Sequence, residues 1–292
     1  MTFSSGGQFE GGRVRTGGGR GAGMAVGGGI GGVILVALFV LLQGGSAGDV
    51  VQAVGGRGNQ GEPAGYIGDC TAEQANVARD CRLSATAQAL DAYWEPLVDS
   101  RGGSFVAPAV WSFSGSVSTA CGNATSAVGP FYCPGDNTIY IDLSFYDELS
   151  TFGIDDGPLA EEYITAHEYG HHIQNIMGIM SKVGRDKGAS SGSVRLELQA
   201  DCYAGMWAGH AAKTIDPDTG VTFLDPITDE QLANAQSAAQ GVGDDAIAAS
   251  AGMSINPDTW THGSAKQREH WFMVGYNKGS LAACDTFAVD NP

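Results

Sequence analysis

The pentad His167-Glu168-Tyr169-Gly170-His171 constrains this chain more than any other feature, because its chemistry requires a helix. Histidines at i and i+4 lie about one turn apart and point the same way, so both imidazoles reach a single tetrahedral ion. Glu168, next to the first histidine, can then sit over a metal-bound water without ligating the metal. The flanking sequence agrees with a helix. Leu159, Tyr163, Ile164, His167, His171 and Met177 recur mostly at three- and four-residue steps, Pro158 suits a first turn and Gly178 suits a stop. Two ordinary histidines on a helix are the plainer alternative.

Catalytic zinc sites usually have three protein ligands and an open position, so the pentad needs a third. Where a metzincin would place its third histidine stands Met177, which excludes that class. The other common solution is a glutamate from a later helix, and Arg195-Leu196-Glu197-Leu198-Gln199-Ala200-Asp201 fits it. Glu197 and Asp201 share a helical face. One carboxylate can bind the metal while the other accepts the free N–H of a ligating histidine. A solvated acidic face is the bland alternative, but the apolar run through Cys202, Tyr203, Met206 and Trp207 marks a largely buried helix, and buried carboxylates need partners.

With these residues in place, the sequence resembles the neutral zinc metallopeptidase family of bacteria, a membrane-anchored branch of the zincins. The likeness is carried by residues 119–134, Ile139 to Leu143, His167 to His172, Glu197 to Trp207, and Thr261-His262-Gly263-Ser264 with Gln267-Arg268 and Trp271-Phe272. It runs from about residue 69 to the C-terminus. It implies an α+β fold: a zincin-like metallopeptidase domain with a small sheet and the pentad on a helix. It also implies peptidase chemistry on a peptide or protein substrate, while leaving that substrate unidentified.

The strand signals agree with a small sheet before the metal helix: Val110 to Phe113, Ser116 to Ser118, and Thr138 to Leu143 after a Gly135-Asp136-Asn137 turn. In zincins an edge strand holds the substrate backbone, and Thr138 to Leu143 is the candidate. Residues 71–98 read as a helix with an apolar stripe of Leu83, Ala87, Leu90, Tyr93, Trp94 and Leu97. Thr228 to Gln231 and Ser264 to Gln267 each have the form of a capping box opening a helix.

The expected reaction is peptide-bond hydrolysis with one Zn2+ held by His167, His171 and Glu197. Glu168 acts as general base on the zinc-activated water, and Asp201 orients His167. His262, in a loop before the last helix, is the candidate oxyanion donor, set against a plain turn-capping role; Tyr140 is a second candidate on the substrate side. His172 lies about 100° around the helix from His171 and does not share the ion. His210 and His270 read as packing residues. Two rival functions use the same residues: a non-catalytic zinc or peptide-binding module, and a zinc amidase acting on a non-peptide amide such as cell-wall material.

Composition adds a cellular setting. Residues 1–21 are Gly- and Ser-rich with Arg13, Arg15 and Arg20, and read as a disordered cytoplasmic tail. From Met24 to Leu42 there is no charged residue, so 22–42 read as one transmembrane helix, with a cleaved signal peptide as the rival. Residues 43–68 form a flexible linker and 69–292 the zinc metallopeptidase domain. The arginines predict a single-pass membrane protein with its N-terminus cytoplasmic and its catalytic domain outside, and the resemblance implies that the membrane is a bacterial cell membrane. A net charge of −17 argues against nucleic acid as a partner. Cys70, Cys81, Cys121, Cys133, Cys202 and Cys284 all follow the apolar run, as expected of disulfides in an exported domain. Six cysteines permit fifteen pairings, among which sequence does not choose. The expected set joins Cys70 to Cys81, Cys121 to Cys133, and Cys202 to Cys284.

Overall fold

A computed structural model describes residues 2–17 and 65–292, apart from 153, 155, 156 and 185. Its strands are β1 (Gln8–Phe9), β2 (Val14–Thr16), β3 (Gly65–Tyr66), β4 (Cys70–Thr71), β5 (Ala109–Phe113), β6 (Ser116–Thr119), β7 (Gly122–Thr125), β8 (Phe131–Cys133) and β9 (Thr138–Asp142). The larger sheet has the order β3-β2-β5-β9-β8. β2, β5 and β9 run parallel, and β3 and β8 are antiparallel to their neighbours. β9 is buried at every position, as a central strand covered on both faces must be. Beside this sheet, β1 pairs with β4 and β6 with β7.

Helices α1 (Ala72–Ala75), α2 (Arg79–Asp99), α3 (Pro158–Ile176), α4 (Gly192–Ala211), α5 (Asp229–Gly241), α6 (Asp244–Ser250) and α7 (Ala265–Lys278) supply the rest of the core. Pro158 occupies the first turn of α3, and Ser191 caps α4 by accepting from Val194 N–H. Capping boxes Thr228/Gln231 and Ser264/Gln267 open α5 and α7. Trp94, Trp207, Tyr169, Tyr203 and Phe272 are fully buried among these helices.

Two glycine contacts set how closely the helices approach. A Cβ on Gly275 of α7 would stand 1.9 Å from the carbonyl oxygen of Cys202, and one on Gly205 of α4 would stand 2.0 Å from that of Phe272. The two backbones therefore touch, and only glycine fits there. Gly170, inside the pentad, lets α3 approach α4 in the same way: a Cβ there would come within 3.0 Å of Ala200 O. Disulfides join Cys70 to Cys81, Cys121 to Cys133, and Cys202 to Cys284. The last ties the C-terminal tail to α4.

Three expectations need correction. Thr2–Gly17 is not a disordered tail. Phe3, Phe9 and Val14 are buried, and β2 lies between β3 and β5 in the main sheet. A glycine-rich average hides these three apolar anchors, which dock against surfaces far along the chain. The single transmembrane helix is also overturned. Among the described residues no helix is long and apolar enough to cross a membrane; the run from 24 to 42 lies outside them. Moreover, Thr16 pairs with Gly65, and Val14–Thr16 pair with Val110–Ser112. The described strands on either side of that run are therefore bonded into one sheet. Lastly, Thr138–Leu143 does not supply an edge: β9 lies between β5 and β8, and among the described residues β8 is the edge on that side and β3 the edge on the other. A central strand carries the stronger apolar pattern, so sequence picks it out over the short Phe131–Cys133.

Candidate metal centre

Helix α3 carries His167, Glu168 and His171, and α4 brings Glu197 and Asp201 against them across the Gly170 contact. His167 donates Nδ1–H to Asp201 Oδ1 at 2.7 Å, and its Nε2 stands 3.2 Å from Glu197 Oε2. His171 Nδ1 meets Gln174 Oε1 at 2.9 Å, and its Nε2 stands 3.4 Å from Glu197 Oε1. Both rings thus have Nδ1 engaged and Nε2 turned to one carboxylate. One donor atom from each of His167, His171 and Glu197 lies within 4.8 Å of the others.

This set fits zinc. Two imidazoles and a carboxylate are ligands that zinc takes, and their donor atoms lie within 4.8 Å of one another, close enough to share one ion. The electrostatics agree. Burial works against a charged His167 ring, yet Asp201 and Glu197 push its pKa up to about 9, and the field that holds a proton there also favours a divalent cation. Burial alone would raise the Glu197 carboxyl, but the two histidines hold it well below its ordinary value.

A buried polar layer fixes these ligands. Asp201 is fully enclosed and accepts from Arg268 Nε at 2.9 Å, Arg268 Nη2 at 2.8 Å and Tyr163 Oη at 2.6 Å. Although burial raises a carboxyl, Arg268 and His167 bring Asp201 down to about 2, so it stays ionised. Gln174 passes its amide on to Leu196 O at 2.7 Å and to Gln199 Oε1 at 3.1 Å, and Gln199 donates to Cys284 O at 3.0 Å.

A cavity of about 340 Å³ opens beside the donors, lined by Glu168, His262 and Arg268 together with Val128, Phe131, Ile164, Val242 and Ile247. His262 is held by Asp244 at the start of α6. Oδ2 accepts the backbone N–H of Thr261, His262 and Gly263, and Oδ1 lies 3.2 Å from His262 Nδ1. Burial disfavours charge on this ring, but Asp244 and the negative Glu197 raise its pKa overall.

The structure does not bring Tyr140 to this cavity. Its hydroxyl bonds Asp136 Oδ2 at 3.0 Å and its ring stacks on Phe131 in a separate apolar cluster. The edge strand β8 contributes Phe131 and Tyr132 to the lining instead. His172 turns away, with Nε2 on Val106 O at 2.7 Å, and burial lowers its pKa to about 4. His210 Nδ1 bonds Met206 O, and His270 packs on Trp271. Sequence reasoning assigned no role to Arg268, Tyr163, Gln174 or Asp244. Arg268 and Asp244 come from elements remote from the pentad, and only the backbone contact of α4 with α7 brings Arg268 to Asp201.

The sequence matches the family described as "Putative neutral zinc metallopeptidase" over residues 4–287, so the likeness takes in the N-terminal arm as well as the metal helix. It is 48% identical over 221 residues to the uncharacterized protein Rv2575 of Mycobacterium tuberculosis H37Rv, covering 75% of this chain and 74% of that one. It is 40% identical over 200 residues to the uncharacterized protein YpfJ of Escherichia coli K12, covering 66% of each. No solved structure matches. The family likeness along nearly the whole chain, together with the three converging donors, means that the protein belongs to the neutral zinc metallopeptidase family.

Proposed function

We propose that this chain hydrolyses peptide bonds with one zinc ion held by His167, His171 and Glu197. The observation that carries the reading is the convergence of these donors beside a cavity that Glu168 and His262 also line. Bound there, zinc supplies Lewis acidity, which acidifies water and polarises a carbonyl. Glu168 takes up the proton of the attacking water on its carboxylate and delivers it to the departing amine nitrogen. Asp201 keeps the proton of His167 on Nδ1, which leaves Nε2 as the ligand atom. His262, engaged at Nδ1 by Asp244, donates from Nε2 to the developing oxyanion when the ring is protonated. The free edge of β8 receives the substrate backbone as an added strand.

A closed structural site would need a fourth protein ligand, and among the described residues the group numbers three. The three disulfides support work in an oxidising compartment outside the bacterial cytoplasm. The test incubates the full chain with zinc and a mixed peptide library. We expect cleavage that a chelator abolishes and zinc restores, and that Glu168→Gln loses while still binding zinc. Undiminished cleavage by Glu168→Gln, or no peptide cleavage by the zinc-loaded chain, overturns the reading. Cleavage of a cell-wall amide without any peptide would favour the amidase instead.

A further inference from the structure

The residue at the centre of the pentad has a partner from the far end of the sequence. Tyr169 lies about 200° around α3 from His167, and the same from His171, so its side chain leaves the helix on the side away from the metal donors. Its ring is fully buried, and its hydroxyl donates to Asp91 Oδ1 of α2 at 2.7 Å. That same Oδ1 accepts from Arg13 Nη2 at 2.9 Å, while Arg13 Nε donates to Oδ2. Arg13 immediately precedes β2, whose place between β3 and β5 delivers the guanidinium by backbone pairing. The arm meets α3 a second time where Thr2 Oγ1 donates to Glu162 Oε1, ahead of His167. The N-terminal arm therefore reaches the metal helix on both sides of the first ligand, directly at Glu162 and through Asp91 at Tyr169.

We propose that Arg13 is a positioning residue for the metal centre, acting through Asp91 on Tyr169. The Asp91 side chain is only 24% exposed, so its oxygens need hydrogen-bond donors in place of lost water. The two-pronged guanidinium fixes the carboxylate in plane and direction. The carboxylate in turn fixes the Tyr169 hydroxyl, and so the rotation of α3 about its axis. Without Arg13, Asp91 turns toward solvent and Tyr169 keeps a buried hydroxyl with no acceptor, so the turn bearing both histidines loses its restraint. The inference rests on the metal-site part of the proposed function and needs no peptide hydrolysis.

The test is zinc affinity of the full chain by chelator competition, for the wild type and for Arg13→Met, Tyr169→Phe and the double variant. A supporting partner of a ligand typically changes metal affinity by 10–100-fold. We expect Arg13→Met to weaken zinc binding roughly tenfold, Arg13→Lys to recover part of it, and the double variant to bind no more weakly than Tyr169→Phe alone. Arg13→Met binding zinc within about twofold of wild type, whatever its melting temperature, overturns the proposal, and so do strictly additive effects. If Arg13→Met does not fold, Arg13→Lys and Tyr169→Phe decide it, and unchanged zinc affinity in both overturns it. A wild-type chain that binds no zinc at all would instead remove the metal-site reading beneath it.

Discussion

Arg268 grips Asp201 through two nitrogens, at 2.9 and 2.8 Å, while the same carboxylate receives the proton of His167 Nδ1. Besides the Tyr163 hydroxyl, one buried anion thus serves a permanent cation and a metal ligand, and removing its charge strands both. Asp201→Asn should lower zinc affinity by about 10–100-fold and destabilise the fold by about 3–5 kcal/mol. Chelator competition and urea unfolding measure the two effects separately. Loss of stability with intact zinc affinity would show that Asp201 serves Arg268 alone.

His262 should impose an alkaline limit on activity. Its folded pKa is raised, so the protonated ring, which donates from Nε2, is present below that pKa and is lost as pH rises through it. Removing one oxyanion donor costs about 10²–10³ in kcat, the loss expected for His262→Ala. His262→Gln keeps a donor that does not titrate, so its kcat/KM profile should flatten on the alkaline side. A wild-type alkaline limb in that variant would disprove the assignment.

Glu162 links pH to stability away from the donors. Burial is the main cause that raises its carboxyl from 4.5 to about 8, only partly offset by Thr2 and Arg82, and among the described residues its Oε2 has no hydrogen-bond partner. The folded state favours the protonated acid, so this contribution is full below about 4.5 and fades as pH climbs to about 8. Glu162→Gln should remove that decline. Urea midpoints at pH 5 and pH 8 measure it, and an equal decline in wild type and variant would count against the assignment.

Gly275→Ala should damage the fold and the metal site together. The added methyl would meet the Cys202 carbonyl at 1.9 Å, which forces α7 off α4 and draws Arg268 from Asp201. Overpacking of this kind costs about 1–3 kcal/mol or more. A lowered melting temperature with weakened zinc binding is the expected pair; weakened stability alone would mean that the Arg268 contact survives the shift.

What sequence revealed here was mostly local in origin. The i, i+4 spacings of His167 with His171 and of Glu197 with Asp201 are facts of one helix turn, and the capping boxes at Thr228 and Ser264 are four-residue patterns. The N-terminal arm was misread because disorder was inferred from average composition, whereas Phe3, Phe9 and Val14 act singly against distant surfaces. The edge strand lies elsewhere because a near-continuous apolar run such as Ile139 to Leu143 marks a strand buried on both faces, and β8 is short. Asp244 became visible only through the three backbone N–H groups it collects from a loop elsewhere in the chain. Non-local hydrogen bonds leave no periodic trace.

The two glutamines behind His171 form a row with a sense of direction. The carbonyl of Cys284 can only accept, so the Gln199 atom that meets it must be the amide nitrogen, and Gln199 therefore shows its oxygen to Gln174. Gln174 must answer with its own nitrogen, which also reaches Leu196 O, and so presents oxygen to His171. The tautomer of a metal-site imidazole is thereby dictated by a peptide carbonyl that lies 85 residues along the chain from Gln199 and cannot itself be turned round.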